Sequence, residues 1–254
     1  SEFLLIKKYL NKCKNIINNF MDTISYKIKF LYCCPICKIY AFQLVCNSCV
    51  NRLNLLKSHI INIETHEHNT FLNSSNINYL ANTLALNITN IYFAYHYCIP
   101  LKELLHKFKY YKHKNLANSL SYLFYLTLKQ IIIAQEIDIL IPIPLHKLRL
   151  KQRGFNQSEL LLKYFKMHHK NYVKNHLVYR TINTTHLALS KNSQARLKEI
   201  KNAFAINKKH IKEIYNKHIL LIDDVYTTGS TSNELARILK LHGAKQVEIG
   251  RAHV

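Results

Sequence analysis

One segment of the chain combines residue types that could bind a phosphorylated sugar. An apolar run, Ile219 to Ile222, leads into the adjacent carboxylates of Asp223 and Asp224, and a hydroxyl-rich loop then opens a predicted helix at Ser232. At the carboxyl end of a strand, the two carboxylates can hold ribose hydroxyls directly or through Mg²⁺. Backbone N–H groups and hydroxyls at a helix start can surround an anion. The residues predicted to hold that anion are Thr227, Thr228, Gly229, Ser230 and Thr231. The alternative is a solvated acidic turn.

A second candidate site follows another predicted strand, Ile137 to Ile143. Pro142 and Pro144 are expected to end the pairing of this strand. The segment from Leu145 to Gln157 then carries five basic or potentially basic side chains. Such a loop at the end of a strand is a natural clamp for a pyrophosphate group.

Four cysteines have the spacing of a metal site. Cys34 and Cys37 form one C-x₂-C pair, and Cys46 and Cys49 form another eight residues later. Two such pairs can close a tetrahedral site around structural Zn²⁺. Disulfides are the competing interpretation, although nothing in the sequence indicates an oxidising compartment. Cys33 could take the place of Cys34 by a shift of one residue.

The order of apolar and polar segments predicts an α/β fold. Strands are expected at Ile137 to Ile143, Ile219 to Val225 and Gln246 to Ile249, with helices between them. Alternating strands and helices are typical of a mostly parallel sheet flanked by helices. We also predict one helix from Ser158 through Phe165 and a short strand from His176 to Arg180.

The charge of the chain favours a polyanionic partner. The formal net charge is +22 and the sequence pI is about 9.7, which suits nucleic acid or an anionic membrane surface. Basic and aromatic residues alternate after Leu101, where they could follow a nucleic-acid backbone and stack on bases. The residues predicted to do so are Lys107, Lys109, Tyr110 and Lys112. A solvated lysine face or a genomic bias towards Lys, Asn and Ile would explain the same pattern without a partner.

No apolar run in the sequence reaches the length of about 18 residues that a membrane span needs. Residues 4–32 have the spacing of an amphipathic helix, which could lie on a neighbouring surface or on a membrane. We expect a cytoplasmic protein, and association with the inner face of the membrane is the alternative.

Several separated segments together resemble the ComF family of competence proteins. They are the two cysteine pairs, Leu104 to Tyr110, Ile141-Pro142-Ile143-Pro144 running to Arg153-Gly154-Phe155-Asn156-Gln157, Arg196 with Ala203-Phe204, and the loop that begins at Asp223. The resemblance covers residues 30–254. It implies a type I phosphoribosyltransferase domain, Rossmann-like, behind a small four-cysteine zinc-binding domain. The implied organisation is an extension over 1–30, a zinc segment over 31–55, a connecting region over 56–90 and the phosphoribosyltransferase-type domain over 91–254.

The resemblance also implies a ligand, 5-phosphoribosyl-1-diphosphate (PRPP), with Mg²⁺. Asp223 and Asp224 would contact its ribose as the catalytic pair, the Thr227 to Thr231 loop its 5-phosphate, and Arg149 and Arg153 its pyrophosphate. The polar region that begins at Thr181 is expected to form a lid, and two residues there depart from the family pattern. His186 stands where the family usually has Gln, and Glu199 where it usually has Asn.

Two functions remain open at this level. The preferred function is a DNA-uptake factor for natural transformation that binds single-stranded DNA and carries a PRPP site, used for binding or for turnover. The alternative is a salvage-type phosphoribosyltransferase with a small nitrogen acceptor. Besides these two, the sequence is compatible with a scaffold whose zinc segment docks a helicase or another DNA-uptake protein.

Overall fold

A computed structural model describes residues 32–41, 44–52, 59–62, 87–95, 114–183, 200–224 and 229–253. The chain divides into two compact units, Ser1–Cys49 and Val50–Val254. In the first unit, strands β1 (Tyr32–Cys33) and β2 (Tyr40–Ala41) pair antiparallel as a small hairpin. Helix α1 (Asn47–Arg52) begins just before the boundary between the units.

The second unit is built on a five-stranded sheet with the order β3-β4-β9-β8-β5. Its strands are β3 (His59–Asn62), β4 (Asn90–Tyr95), β5 (Ile139–Pro142), β8 (His218–Asp223) and β9 (Gln246–His253). Strands β4, β9, β8 and β5 run parallel, and β3 is an antiparallel edge strand. Because the inner strands are covered on both faces, they are almost continuously apolar.

Helix α6 (Ser230–Leu241) covers one face of the sheet. Its apolar residues recur at helical spacing and join the buried side chains that project from alternate positions of the strands. The shared cluster includes Leu235, Ala236, Leu239, Ile219, Leu221, Val247 and Ile249. Helix α2 (Lys114–Ala134) reaches the opposite face. There a Cβ on Gly250 would lie 3.0 Å from Ile222 Cδ1 and 3.3 Å from Leu128 Cδ1, so strand and helix pack closely at this glycine.

Short elements connect β5 to β8. They are α3 (Lys147–Arg153), α4 (Gln157–Leu161), α5 (Lys163–His168), a 3₁₀ turn (Lys170–Tyr172), β6 (Val178–Arg180), β7 (Phe204–Ile206) and a 3₁₀ helix (Lys208–Glu213). Strands β6 and β7 form a separate antiparallel pair.

The predicted fold class is confirmed: the protein is an α/β protein with a mostly parallel sheet flanked by helices. Several predicted element bounds were wrong. The helix predicted from Ser158 to Phe165 is two short helices that meet at Leu162, and its N-cap is Asn156, whose side chain accepts a hydrogen bond from Ser158 N–H. Helix α6 begins at Ser230 rather than Ser232. Strand β5 begins at Ile139 rather than Ile137, and it ends at Pro142, as predicted, with Pro142 opposite Ile222 as its last paired residue. Within the part of the chain described above, no helix is long and apolar enough to cross a membrane.

Candidate functional site at the carboxyl edge of the sheet

The two candidate segments follow neighbouring parallel strands. Strand β5 pairs with β8, with Pro142 opposite Ile222 and the amide of Ile143 bonded to the Ile222 carbonyl at 2.9 Å. Because parallel strands end at the same edge, the basic segment after β5 and the acid pair after β8 leave the sheet side by side. The arrangement puts Asp223 and the α3 helix on the same side of the fold.

The carboxylates of Asp223 and Asp224 follow each other at the end of β8, where both side chains are half-buried. The backbone N–H of Asp224 donates to Asp223 Oδ1 at 2.9 Å. Burial, and then the charge of Asp224, raise the pKa of Asp223 to about 7, while the nearby guanidinium of Arg251 opposes the shift. The two carboxylates repel each other when both are ionised. The pair is therefore well suited to accept hydrogen bonds from hydroxyl groups or to bind a cation.

Arg251 is a fully buried cation that sequence reasoning missed. It lies on β9 opposite Asp223, with 0% of its surface exposed, and its Nη2 donates to Ser232 Oγ at 3.0 Å. Ser232 belongs to the first turn of α6, so this bond joins β9 to the helix start that follows the hydroxyl-rich loop. The available signal was an arginine at an inward position of an apolar strand, since isolated buried charges are rare.

The start of α6 has the backbone shape that a tight anion loop needs. Gly229 precedes the helix with φ 72°, in the left-handed region that favours glycine. Ser230 is buried and Thr231 is half-buried at the first helical positions. These are the described members of the predicted phosphate loop. Thr227 and Thr228 lie outside the described residues.

The basic segment after β5 folds into helix α3 rather than the predicted loop. The His146 side chain caps its start by accepting from Leu148 N–H at 3.3 Å, and Gly154 ends it with φ 82°. The Asn156 side chain then donates to the Ile143 carbonyl at 3.0 Å, which ties the segment back to the sheet. Arg149 and Arg153 are therefore both carried by this short helix.

A third arginine joins this edge from strand β6. The backbone of Arg180 forms a parallel bridge with His146, and its guanidinium lies 5.5 Å from the ring centroid of Phe204. Burial lowers the pKa of Arg180, the charge of Arg149 lowers it further, and the charge of Asp223 raises it. The guanidinium of Arg180 is thus close enough to interact with both Arg149 and Asp223. Sequence reasoning did not select Arg180, because only the tertiary pairing brings β6 to this edge.

Other sequence predictions fall elsewhere. Lys107, Lys109, Tyr110 and Lys112, and the lid positions His186 and Glu199, lie outside the described residues. A groove of about 480 Å³ lies away from the acid pair, between the β6–β7 pair, the 3₁₀ helix and α6. Its lining is mostly apolar side chains such as Phe204 and Leu241, together with the basic residues Lys208, Arg237 and His242.

In the first unit, the structure gathers the four predicted cysteine ligands. The Sγ atoms of Cys34, Cys37, Cys46 and Cys49 all lie within 4.8 Å of one another. The hairpin of β1 and β2 forms the first knuckle, with Cys34 N–H bonded to the Ile39 carbonyl at 2.9 Å. Cys46 and Cys49 flank the start of α1. Cys33 is exposed and its thiol is directed to the Lys38 carbonyl, so Cys34 and not Cys33 belongs to the cluster.

The geometry of this donor set is compatible with structural zinc. Four thiolates at about 2.3 Å from an ion would be about 3.8 Å apart in a tetrahedron, and the Sγ atoms of Cys37 and Cys46 are 3.5 Å apart. Cys34 and Cys49 are buried, at 0% and 2% exposure. Burial opposes ionisation of Cys34, but N–H donors of Cys37, Cys46 and Ile36 lower its pKa to about 7. Burial and the neighbouring thiols raise the pKa of Cys49. A closed set of four cysteines suits a structural ion rather than a catalytic one.

The fold and the two sites define a class: an open-sheet α/β protein with a small four-cysteine unit. Part of the sequence is similar to known proteins. The chain is 31% identical over 160 residues to Competence protein F of Haemophilus influenzae, covering 61% of this chain and 68% of that protein. It is 32% identical over 157 residues to DNA utilization protein YhgH of Escherichia coli, with coverage of 60% and 66%. Competence protein ComFC of Bacillus subtilis is 32% identical over 145 residues, with coverage of 57% and 55%.

No family model matches the chain, so the alignments carry the assignment. They span about two thirds of the length of the first two relatives and about half of the third. The chain belongs to the ComF family of competence proteins, which confirms the resemblance seen in its sequence.

Proposed function

We propose that this chain is a DNA-uptake factor for natural transformation that binds single-stranded DNA and holds PRPP at the carboxyl edge of its sheet. The names of its relatives, as competence and DNA utilization proteins, support the competence role. The observation that supports the PRPP site is that Arg180 is close enough to interact with both Arg149 and Asp223, where the neighbouring strands β5 and β8 end. A structural zinc ion on the four cysteines is part of the same proposal.

Each part of PRPP has a complementary group at this edge. The ribose hydroxyls suit the two carboxylates, and the 5-phosphate suits the helix start behind Gly229. The pyrophosphate suits Arg149 and Arg180, with Arg153 on the same helix. The carboxylate pair also fits Mg²⁺, because a hard cation prefers negatively charged oxygen donors. When bound, Mg²⁺ would supply positive charge that balances the pyrophosphate.

The chain's own residues would also promote cleavage of the bond between the ribose and the pyrophosphate of PRPP. Asp223 and Asp224 stabilise positive charge that develops on the ribose ring, and the arginines stabilise the departing pyrophosphate. Buried Arg251 holds Ser232, and through it the first turn of α6, in register with β9. Whether the bond breaks depends on an acceptor, and a PRPP site without an acceptor would act as a sensor.

Binding of single-stranded DNA should depend steeply on salt. Each phosphate neutralised by a lysine contributes a slope of about −0.7 in log K against log salt concentration. We expect the affinity of a labelled oligonucleotide, measured by fluorescence anisotropy, to fall steeply as NaCl rises. Lys107→Glu with Lys109→Glu should weaken binding more than Lys170→Glu with Lys209→Glu. The second pair makes the same charge change at exposed residues of the described part of the chain.

A flat salt response, or no DNA binding near physiological ionic strength, would remove the DNA part of the proposal. Equal losses in the two double variants would assign the effect to net charge rather than to the basic segment. Release of pyrophosphate from PRPP with one purine, pyrimidine or amine, independent of DNA, would select the salvage-type enzyme instead.

Arg180→Gln should weaken binding of pyrophosphate and leave binding of ribose 5-phosphate unchanged. A hydrogen bond to a charged group contributes roughly 1.5–3 kcal/mol, so the affinity for PRPP and for inorganic pyrophosphate should fall about 10- to 100-fold. Isothermal calorimetry with each ligand measures the split. Arg237→Gln is the control, because Arg237 is an arginine of α6 paired with Glu234.

An equal loss of affinity for all three ligands would indicate that Arg180 only supports the fold around Phe204. No loss for any ligand would exclude it from the site. Either result would leave the acid pair to be tested separately.

A further inference from the structure

We propose that His176, His210 and Glu213 form a second metal site, separate from the four cysteines and from the carboxyl edge of the sheet. The ligand would be a divalent first-row transition ion that prefers imidazole, such as Zn²⁺. This site lies wholly within the second unit, on the 3₁₀ helix and on the segment that leads into β6. It does not depend on the proposed binding of PRPP.

The three donor atoms already converge. Glu213 Oε1 lies 2.6 Å from His210 Nδ1 and 3.4 Å from His176 Nε2. One donor from each residue falls within 4.8 Å of the other two. A tetrahedral ion with nitrogen and oxygen ligands at about 2.0–2.1 Å requires donors about 3.3 Å apart. Small rotations of these side chains would therefore complete a three-ligand set.

The backbone around the cluster holds the ligands in place. In a 3₁₀ helix, residues three apart are eclipsed, so His210 and Glu213 project together from Lys208–Glu213. Asn207 caps this helix by accepting from Lys209 N–H at 3.3 Å, and its side chain donates to the His176 carbonyl at 3.3 Å. The Asn207 N–H also bonds the Leu177 carbonyl at 2.8 Å. One residue thus fixes both ligand-bearing segments relative to each other.

The donor chemistry selects the class of ion. Two imidazoles and one carboxylate suit zinc, nickel, copper or cobalt better than magnesium or calcium, which prefer oxygen ligands alone. The three side chains are 34% to 42% exposed, so an ion can enter from solvent and keep a water ligand. Such an ion would cross-link the start of β6 to the 3₁₀ helix.

Lys174 provides an internal competitor for the metal. Its Nζ lies 3.1 Å from Glu213 Oε2, so a bound cation would share this carboxylate with an ammonium group. Like charges at this separation repel each other. Lys174→Ala should therefore increase the affinity for the ion, whereas loss of a merely structural ion pair would not create metal binding.

The test is calorimetric titration of Zn²⁺ into the full chain after dialysis against a weak chelator, with the four-cysteine zinc retained. We expect one further equivalent, with affinity reduced at least about tenfold in His176→Ala and in His210→Ala. Lys174→Ala should bind severalfold more tightly. His168→Ala, an exposed histidine outside the cluster, should behave as the unmodified chain.

A thermal unfolding measurement guards against misfolded variants. Without added zinc, His176→Ala and His210→Ala should unfold at the same temperature as the unmodified chain. When zinc is added, these two variants should gain no stability, whereas the unmodified chain, Lys174→Ala and His168→Ala should be stabilised. The proposal is overturned if no further equivalent binds, or if His176→Ala binds it as tightly as the unmodified chain. Equal weakening in His168→Ala would also overturn it, by showing non-specific binding to surface histidines.

Discussion

Asp224→Asn should lower the affinity for Mg²⁺-PRPP by at least about 100-fold, because it removes one of two carboxylates on which the ribose and the cation depend. The amide keeps the size of the side chain and the backbone position of the N–H that bonds Asp223. The loss should appear with PRPP and with ribose 5-phosphate plus Mg²⁺. Calorimetry with each ligand measures it.

Asp223→Asn should weaken the binding of Mg²⁺-PRPP as much as Asp224→Asn does, without destabilising the folded chain. The raised pKa of Asp223 means that its ionised form is less favourable in the folded chain than in the unfolded chain. The stability that it contributes is complete below its unfolded pKa and is lost as pH rises through about 7. A neutral amide removes this cost, so Asp223→Asn should unfold at the same or a higher temperature at pH 8.

Asp138→Asn is the matched control at the opposite end of the same two strands, β5 and β8. Asp138 precedes β5, and its carboxylate accepts from His218 N–H at 2.8 Å where β8 begins. The substitution makes the same chemical change far along both strands from the acid pair. Its PRPP affinity should equal that of the unmodified chain. Equal weakening in all three variants would show that the carboxylates act through the fold and not through contact with the ligand.

Cys37→Ser should remove a structural zinc ion and with it the order of the first unit. Protein purified without added zinc should contain about one tightly held ion per chain, and the variant close to none. The described part of the first unit consists of a short hairpin and the start of α1. So small a segment has little apolar core, and metal binding would supply its folding free energy. Metal analysis after dialysis against a weak chelator measures the ion, and limited proteolysis measures the order.

Cys33→Ser is the control for this experiment, because Cys33 is adjacent to the cluster in sequence but exposed and outside it. It should retain the full zinc content and the same resistance to protease. If neither the unmodified chain nor the variants contain zinc, the four-cysteine interpretation is wrong. If Cys33→Ser loses as much zinc as Cys37→Ser, the register of the first knuckle is wrong.

The parallel sheet could be predicted from the sequence because its inner strands are long apolar runs. Such runs can be recognised without knowing how the strands pair. Strand β8 and helix α6 were found within two residues of their bounds. The pairs of cysteines also carried enough information, since their spacing alone brings four thiols together. Helix α3 was missed because none of its residues is buried, so it has no apolar stripe to reveal it.

Long-range pairing explains what the sequence could not predict about the site. Arg180 reaches the edge only because β6 bridges to His146. Arg251 lies behind the acid pair only because β9 is the neighbour of β8 in the sheet. No local spacing marks Arg180, and the inward position of Arg251 in an apolar strand does not by itself indicate which residues it faces. The cap at Asn156, which replaced the predicted start at Ser158, depends on the Ile143 carbonyl thirteen residues earlier.

The central claim is that the carboxyl edge of the sheet binds a phosphorylated pentose, and titration of the unmodified chain with PRPP tests it most directly. The titration is performed with Mg²⁺ and repeated with a chelator. The account predicts saturation at about one PRPP per chain in the second unit, with binding that is strong with Mg²⁺ and much weaker without it. No saturable binding in either condition, or equal binding in both conditions, would contradict it.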